Sequence, residues 1–92
     1  MSTLVWTVRY SAAARQSLGQ LSPPNQRRVV QYLKGVAALD DPSQRGKALT
    51  GNLAGYWRYR VGYFGVVCLI DRRRIEILAV EIGHRSTVYR GK

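Results

Sequence analysis

The sequence predicts an α+β domain in which an N-terminal strand and a two-helix hairpin pack on one face of a twisted, mainly antiparallel four-stranded sheet. Three observations carry this expectation. Apolar residues alternate with a period of two near the N-terminus and again from Tyr56 onward. Between them, Ser22-Pro23-Pro24 separates two stretches of helical character. Turn residues, not long linkers, join the C-terminal runs, as consecutive hairpins require. With 92 residues there is chain for one core, so residues 1–92 form a single domain that buries roughly 60–65% of its unfolded surface.

Leu4, Trp6, Val8 and Tyr10 alternate with Val5, Thr7 and Arg9, which places a first strand over Leu4–Tyr10. Ser11 can cap the helix that follows, because its hydroxyl can accept from an orphan N–H; Ala12 to Gln16 are mostly good helix formers, and the helix ends near Gly19 or Leu21. Ser22 serves as the next N-cap and Pro23 sits where a missing N–H costs nothing, so a second helix runs from about Pro23 to Leu39 with Val29, Val30, Leu33, Val36 and Ala37 on its inner face. Gly35 inside that helix costs about 1 kcal/mol relative to alanine, which predicts a neighbouring backbone close by.

Asp40-Asp41-Pro42-Ser43 is turn chemistry, and the chain to Gly55 reads as a loop pinned by Leu49 and Leu53. From Tyr56, Arg58 and Arg60 share one side of a strand with Tyr56, while Trp57, Tyr59 and Val61 point to the other. Gly62-Tyr63 reverses the chain into Phe64–Ile70, apolar enough for a central strand covered on both faces. Asp71-Arg72-Arg73 turns it again, Arg74–Ile82 is the last strand, and Gly83 ends it.

Charge sets the function classes. Twelve arginines and three lysines against five acidic residues give a net charge of +10, and the guanidinium is a planar fork suited to phosphate. A polyanion is the expected partner, with nucleic acid ahead of an anionic membrane or an acidic protein. One cysteine, Cys68, and one histidine, His84, can make neither an internal disulfide nor the usual four-ligand zinc set, so no metal and no cofactor are expected. The longest unbroken apolar run, Val66 to Ile70, is too short to cross a bilayer, and the N-terminus lacks a basic region ahead of an apolar one. A reduced, cytoplasmic chain is the expectation. Glycine-rich phosphate cradles, nucleophile elbows and His-plus-carboxylate triads are missing.

The candidate site begins with Arg58 and Arg60, on one sheet face about 7 Å apart, close to the spacing of successive phosphates. Gly83-His84-Arg85 and then Val88-Tyr89-Arg90 follow the last strand and could meet them. Arg72, Arg73 and Arg74 form a charge run at a hairpin tip and Lys47 lies in the loop; each is a solvated cation or a grip on backbone phosphate. Such residues can cleave RNA: the 2′-hydroxyl attacks the neighbouring phosphorus while the protein holds the phosphate in line, neutralises its charge and moves two protons. Arginine is too basic to take a proton, which leaves Tyr89 or His84 for that task.

Along nearly its whole length the chain resembles the RelE/ParE superfamily of bacterial toxins, and its RelE-like branch in particular. The resemblance rests on the order and spacing of Trp6-Thr7-Val8, the helical hairpin, Gly46-Lys47-Ala48-Leu49-Thr50-Gly51, Trp57-Arg58-Tyr59-Arg60-Val61-Gly62, Gly83-His84-Arg85 and Val88-Tyr89-Arg90. It implies a ribosome-dependent mRNA interferase that cuts mRNA in the ribosomal A site and is held inactive by a cognate RelB-like antitoxin in a hetero-oligomeric complex. It also implies Arg58, Arg60 and Arg85 as catalytic groups that hold phosphate and balance transition-state charge, with Arg85 as a donor to the leaving oxygen and Tyr89 for stacking or proton transfer. Lys47, Arg72, Arg73, Arg74, His84 and Arg90 complete the expected RNA-binding set. One departure stands out. Where the family reads Gly-Asp-Tyr-Arg, this chain reads Gly62-Tyr63-Phe64-Gly65, so Gly65 takes the place of a catalytic arginine and a weakened toxin is expected. The alternatives are a ParE-like toxin that binds DNA gyrase, or an inactive nucleic-acid-binding homologue.

Overall fold

The computed structural model describes residues 5–85. In chain order these form β1 (Thr7–Tyr10), α1 (Ala12–Gly19), α2 (Pro23–Ala37), a 3₁₀ turn over Pro42–Arg45, β2 (Lys47–Ala48), a second 3₁₀ turn over Gly51–Leu53, β3 (Tyr56–Val61), β4 (Phe64–Asp71) and β5 (Glu76–His84). The α+β class holds, but the sheet has five strands, ordered β1-β5-β4-β3-β2, not four. The additional strand is β2, whose two exposed residues pair antiparallel with Trp57 and Arg58. Two residues carry no periodicity, so this pairing is invisible before the chain folds. β1 joins the opposite edge parallel to β5, and every other pair is antiparallel.

Ser11 caps α1 as its position suggests: Oγ accepts from the Ala14 N–H at 3.0 Å and also donates to the Val80 carbonyl at 3.2 Å, so one hydroxyl both starts the helix and ties it to β5. Ser22 occupies the N-cap of α2 but makes no side-chain cap bond. The Gln26 amide takes over the joint, donating to the carbonyls of Gly19 (3.3 Å) and Leu21 (3.0 Å). Both helices lie on one face of the sheet. There Ala14, Val29, Leu33, Val36 and Ala37 meet Tyr59 and Val61 of β3, Val66 and Cys68 of β4, and Ile77, Ala79 and Ile82 of β5. β4 takes the predicted central position, buried from Gly65 to Cys68.

Three expectations are corrected here. No backbone approaches Gly35; a Cβ there would meet only the Arg45 guanidinium at 3.6 Å, an ordinary contact. Gly35→Ala is therefore expected to stabilise the fold by about 0.5–1 kcal/mol, since the helix gains propensity without a clash, and the urea midpoint measures it. The last strand starts later, because Asp71 Oδ1 accepts from the Arg73 and Arg74 N–H groups (3.1 Å each) and Ile75 completes the turn at φ 56°. It also runs past Gly83 to His84. The Gly62-Tyr63 reversal is as read, with Gly62 at φ 62° in the first central position, where a side chain would be strained.

Cys68 is fully buried, and desolvation pushes its thiol up to about 12. The unfolded thiol ionises at lower pH than the folded one, so this contribution to stability is intact below the thiol's ordinary range and is lost as pH rises towards 12. A thiol reagent at pH 8 is expected to react with native protein far more slowly than with protein in denaturant, as a time course of absorbance would record.

Candidate nucleic-acid interface

Strand alternation and one bulge decide which side chains reach the face the helices leave open. β5 opposes β4 with Cys68↔Ala79 and then Val67↔Glu81, so Val80 is an extra residue. The bulge returns Ile82 to the core and turns Gly83 to the open face. Arg60, Gly65 and Gly83 then form one cross-strand row on that face, with Arg58 and Val67 in the row beside it. Arg85 follows just past the end of β5, and its N–H donates to the Tyr63 carbonyl at 3.0 Å. Its Nε is buried and has no hydrogen-bond partner among the described residues.

The open face is not entirely bare. Leu49 and Leu53 fold over Val67, Tyr56 and Val80 as a second small apolar cluster, so the loop pins itself to part of the surface expected to be free. What remains accessible lies towards β2 and the edge of β3. Here Lys47 sits directly opposite Arg58, and Tyr32, Arg45, Lys47, Arg58 and Arg60 line a cleft of about 230 Å³. Among the described residues four cations line it and no carboxylate does. Asp41 pairs instead with Arg72 (3.2 Å), Asp71 with Arg74 (3.9 Å) and Glu76 with Arg9 (3.6 Å). Lys47 and Arg58 face each other across the two strands, so this edge concentrates positive charge.

Tyr59 organises this corner. Its ring is buried, its hydroxyl donates to the Pro42 carbonyl at 2.9 Å, and burial raises its pKa far above the usual phenol range. Tyr32 rests on it edge to face, with centroids 6.4 Å apart. Gly46 crosses that ring so tightly that a Cβ would stand 3.0 Å from Cζ and 3.3 Å from the Arg58 carbonyl. The chain can thus place Arg45 and Lys47 on either side of the ring only because residue 46 has no side chain. Gly46→Ala is expected to cost about 1–3 kcal/mol, read from the denaturation midpoint, because neither a pinned ring nor a strand backbone can yield cheaply.

The remaining expected site residues are dispersed. His84 pairs with Phe64, falls on the alternate of Val66 and Ile82 towards the helices, and stacks with Tyr63 at 6.4 Å and 12°, so it does not join Arg58 and Arg60. Arg72, Arg73 and Arg74 sit at the far end of β4, six residues or about 20 Å from the level of Arg60. Asp41 is held there below its usual range, first by hydrogen bonds from Ser43 and then by Arg72. Tyr89 and Arg90 lie outside the described residues. Tyr32 and Arg45 were not legible as site residues. A helical flank hides the first, and the only trace of the second is a pair of cations straddling a glycine.

Comparison with known proteins gives a consistent picture. Residues 8–89 match the family described as ParE toxin of type II toxin-antitoxin system, parDE. The chain is 31% identical over 85 residues to Toxin RelG of Mycobacterium tuberculosis, spanning 92% of this chain and 97% of that protein. Among solved structures it superposes on a chain of the toxin-antitoxin complex RelBE2 from Mycobacterium tuberculosis with a TM-score of 0.82 and 28% identity, covering 92% of this chain and 97% of the other. A chain of the intact E. coli RelBE complex gives a TM-score of 0.69 at 7% identity, over 86% and 95% of the two chains, a likeness of fold alone.

Proposed function

The chain belongs to the RelE/ParE superfamily of type II toxin-antitoxin toxins, and we propose that it is an endoribonuclease that cuts mRNA on the ribosome and so arrests translation. The observation that supports this most is the gathering of Arg58, Arg60 and Lys47 around one cleft at the edge of β3, with Lys47 facing Arg58. In the proposed reaction the 2′-oxygen bonds to phosphorus as the bond to the 5′-oxygen breaks, leaving a cyclic phosphate and a free 5′-hydroxyl. Arg58, Arg60 and Lys47 hold the phosphate and balance charge on its non-bridging oxygens. Arg85 faces the leaving oxygen, and Tyr89 carries the proton transfer or stacks on a base. The working site is the cytoplasm; among the described residues no helix is long and apolar enough to cross a membrane.

The inhibitor follows from the same chemistry. A RelB-like antitoxin segment, acidic or apolar and folding as it binds, neutralises these cations in a toxin-antitoxin complex. A second reading, binding of DNA gyrase, has two points in its favour: the matched family is described as ParE, and Gly65 lacks the expected guanidinium. Primer extension on ribosome-bound mRNA separates the two. Cuts in the A-site codon that vanish in Tyr89→Phe support the nuclease, and gyrase-linked DNA breaks without such cuts would replace it with the second reading.

A further inference from the structure

The cleft at the β3 edge extends beyond the residues that the nuclease reading uses. Arg45 and Tyr32 reach it from the helix side of the sheet, whereas Arg58 and Arg60 reach it from the open side, with Lys47 at the edge between them. Both newcomers are held in place by the fold. Tyr32 leans on Tyr59, whose hydroxyl anchors the start of the very turn that Arg45 ends, and Arg45 lies over the bare Cα of Gly35. Among the described residues Arg45 takes no part in the ion pairs Arg9–Glu76, Arg72–Asp41 and Arg74–Asp71, and no acidic side chain lines the cleft. An exposed guanidinium beside Gly35, in a recess of about 230 Å³ lined by four cations and a tyrosine, has the chemistry of a phosphate subsite.

We infer that Arg45 and Tyr32 form a second phosphodiester subsite, which takes the RNA backbone around the edge of β3 one or two nucleotides from the phosphate held by Arg58 and Arg60. The inference rests on the nuclease reading and deepens it. RNA is favoured over an acidic protein segment because Arg58 and Arg60, about 7 Å apart on β3 and close to the spacing of successive phosphates, line the same cleft as Arg45, and because a hydroxyl-bearing ring and a guanidinium in one recess suit a sugar-phosphate chain.

The test uses the full chain and a 2′-O-methyl oligoribonucleotide, which binds without being cut, titrated by fluorescence anisotropy at several salt concentrations. Arg45→Gln is expected to weaken binding five- to tenfold at low salt and to flatten the salt dependence by about 0.7 in log–log slope, the signature of one lost phosphate contact on a single strand. Arg27→Gln removes the same charge from an exposed position outside the cleft and is expected to change affinity less than twofold. Tyr32→Phe is expected to weaken binding two- to threefold. Equal effects of Arg45→Gln and Arg27→Gln would overturn the subsite, leaving only diffuse attraction. So would unchanged RNA affinity in Arg45→Gln together with lost binding of a glutamate-rich peptide, which assigns the recess to a protein partner. If Arg58→Gln costs nothing either, the nuclease reading itself falls and the subsite falls with it.

Discussion

Arg85→Ala is expected to slow single-turnover cleavage of ribosome-bound mRNA by about a hundredfold to a thousandfold while leaving the urea midpoint nearly unchanged. The two halves of that expectation come from one observation. The Arg85 backbone N–H closes the end of the sheet on Tyr63, a bond that alanine keeps, whereas the side chain buries its Nε with no hydrogen-bond partner among the described residues. A buried donor without a partner costs the fold free energy, so its removal relieves as much as it loses. In the proposed reaction the same donor would meet the negative charge that develops in the transition state, where one such contact contributes roughly 3–4 kcal/mol. Arg85→Lys keeps the charge without the planar fork and is expected to recover only part of the rate. Cleavage within threefold of wild type for the alanine variant would remove Arg85 from the site, and a large drop in the midpoint would recast it as structural.

Gly65→Arg is expected to raise cleavage about a hundredfold, in the opposite direction to nearly every other substitution in the sheet. Gly65 lies in β4, the central strand, with Arg60 opposite on one side and Gly83, which carries no side chain, on the other, so a side chain there joins the cationic row. Its φ is not among the positive values of the chain, so the backbone accepts an arginine without strain. The gain carries a cost. A guanidinium directly across from Arg60 adds like-charge repulsion, about 0.2–1 kcal/mol of stability, which salt partly screens. The expected pattern is therefore faster cleavage, stronger growth arrest and a slightly lower midpoint that recovers at high ionic strength. No change in cleavage or arrest would mean that the missing arginine is not what limits this chain, and would move weight to the gyrase-binding reading.

Glycine thus acts in opposite ways at neighbouring places. At position 46 its bareness builds the cationic cleft by letting Arg45 and Lys47 pass a buried ring, and at position 65 it withholds a charge from the same face. Neither role is visible in composition. The first needs the contact with Tyr59, and the second needs the register with Arg60.

What the sequence determined by itself are the features with a local or periodic cause. The two helices follow from Ser11, the Pro23-Pro24 start and the Val29, Leu33, Val36 stripe. The outward and inward sides of β3 follow from strict alternation, and the polyanion partner follows from twelve arginines against five acids. Tertiary structure alone decided the rest, because it depends on contacts between residues far apart in the chain. The bulge at Val80 sets the phase of the strand after it, sending Ile82 inward, Gly83 to the open face and His84 towards the helices. A one-residue slip in a strand exchanges its faces, and nothing within a single strand announces such a slip. The two-residue β2 and the presence of Tyr32 and Arg45 in one cleft are likewise consequences of packing around Tyr59, fixed only when helix, loop and sheet close on one another.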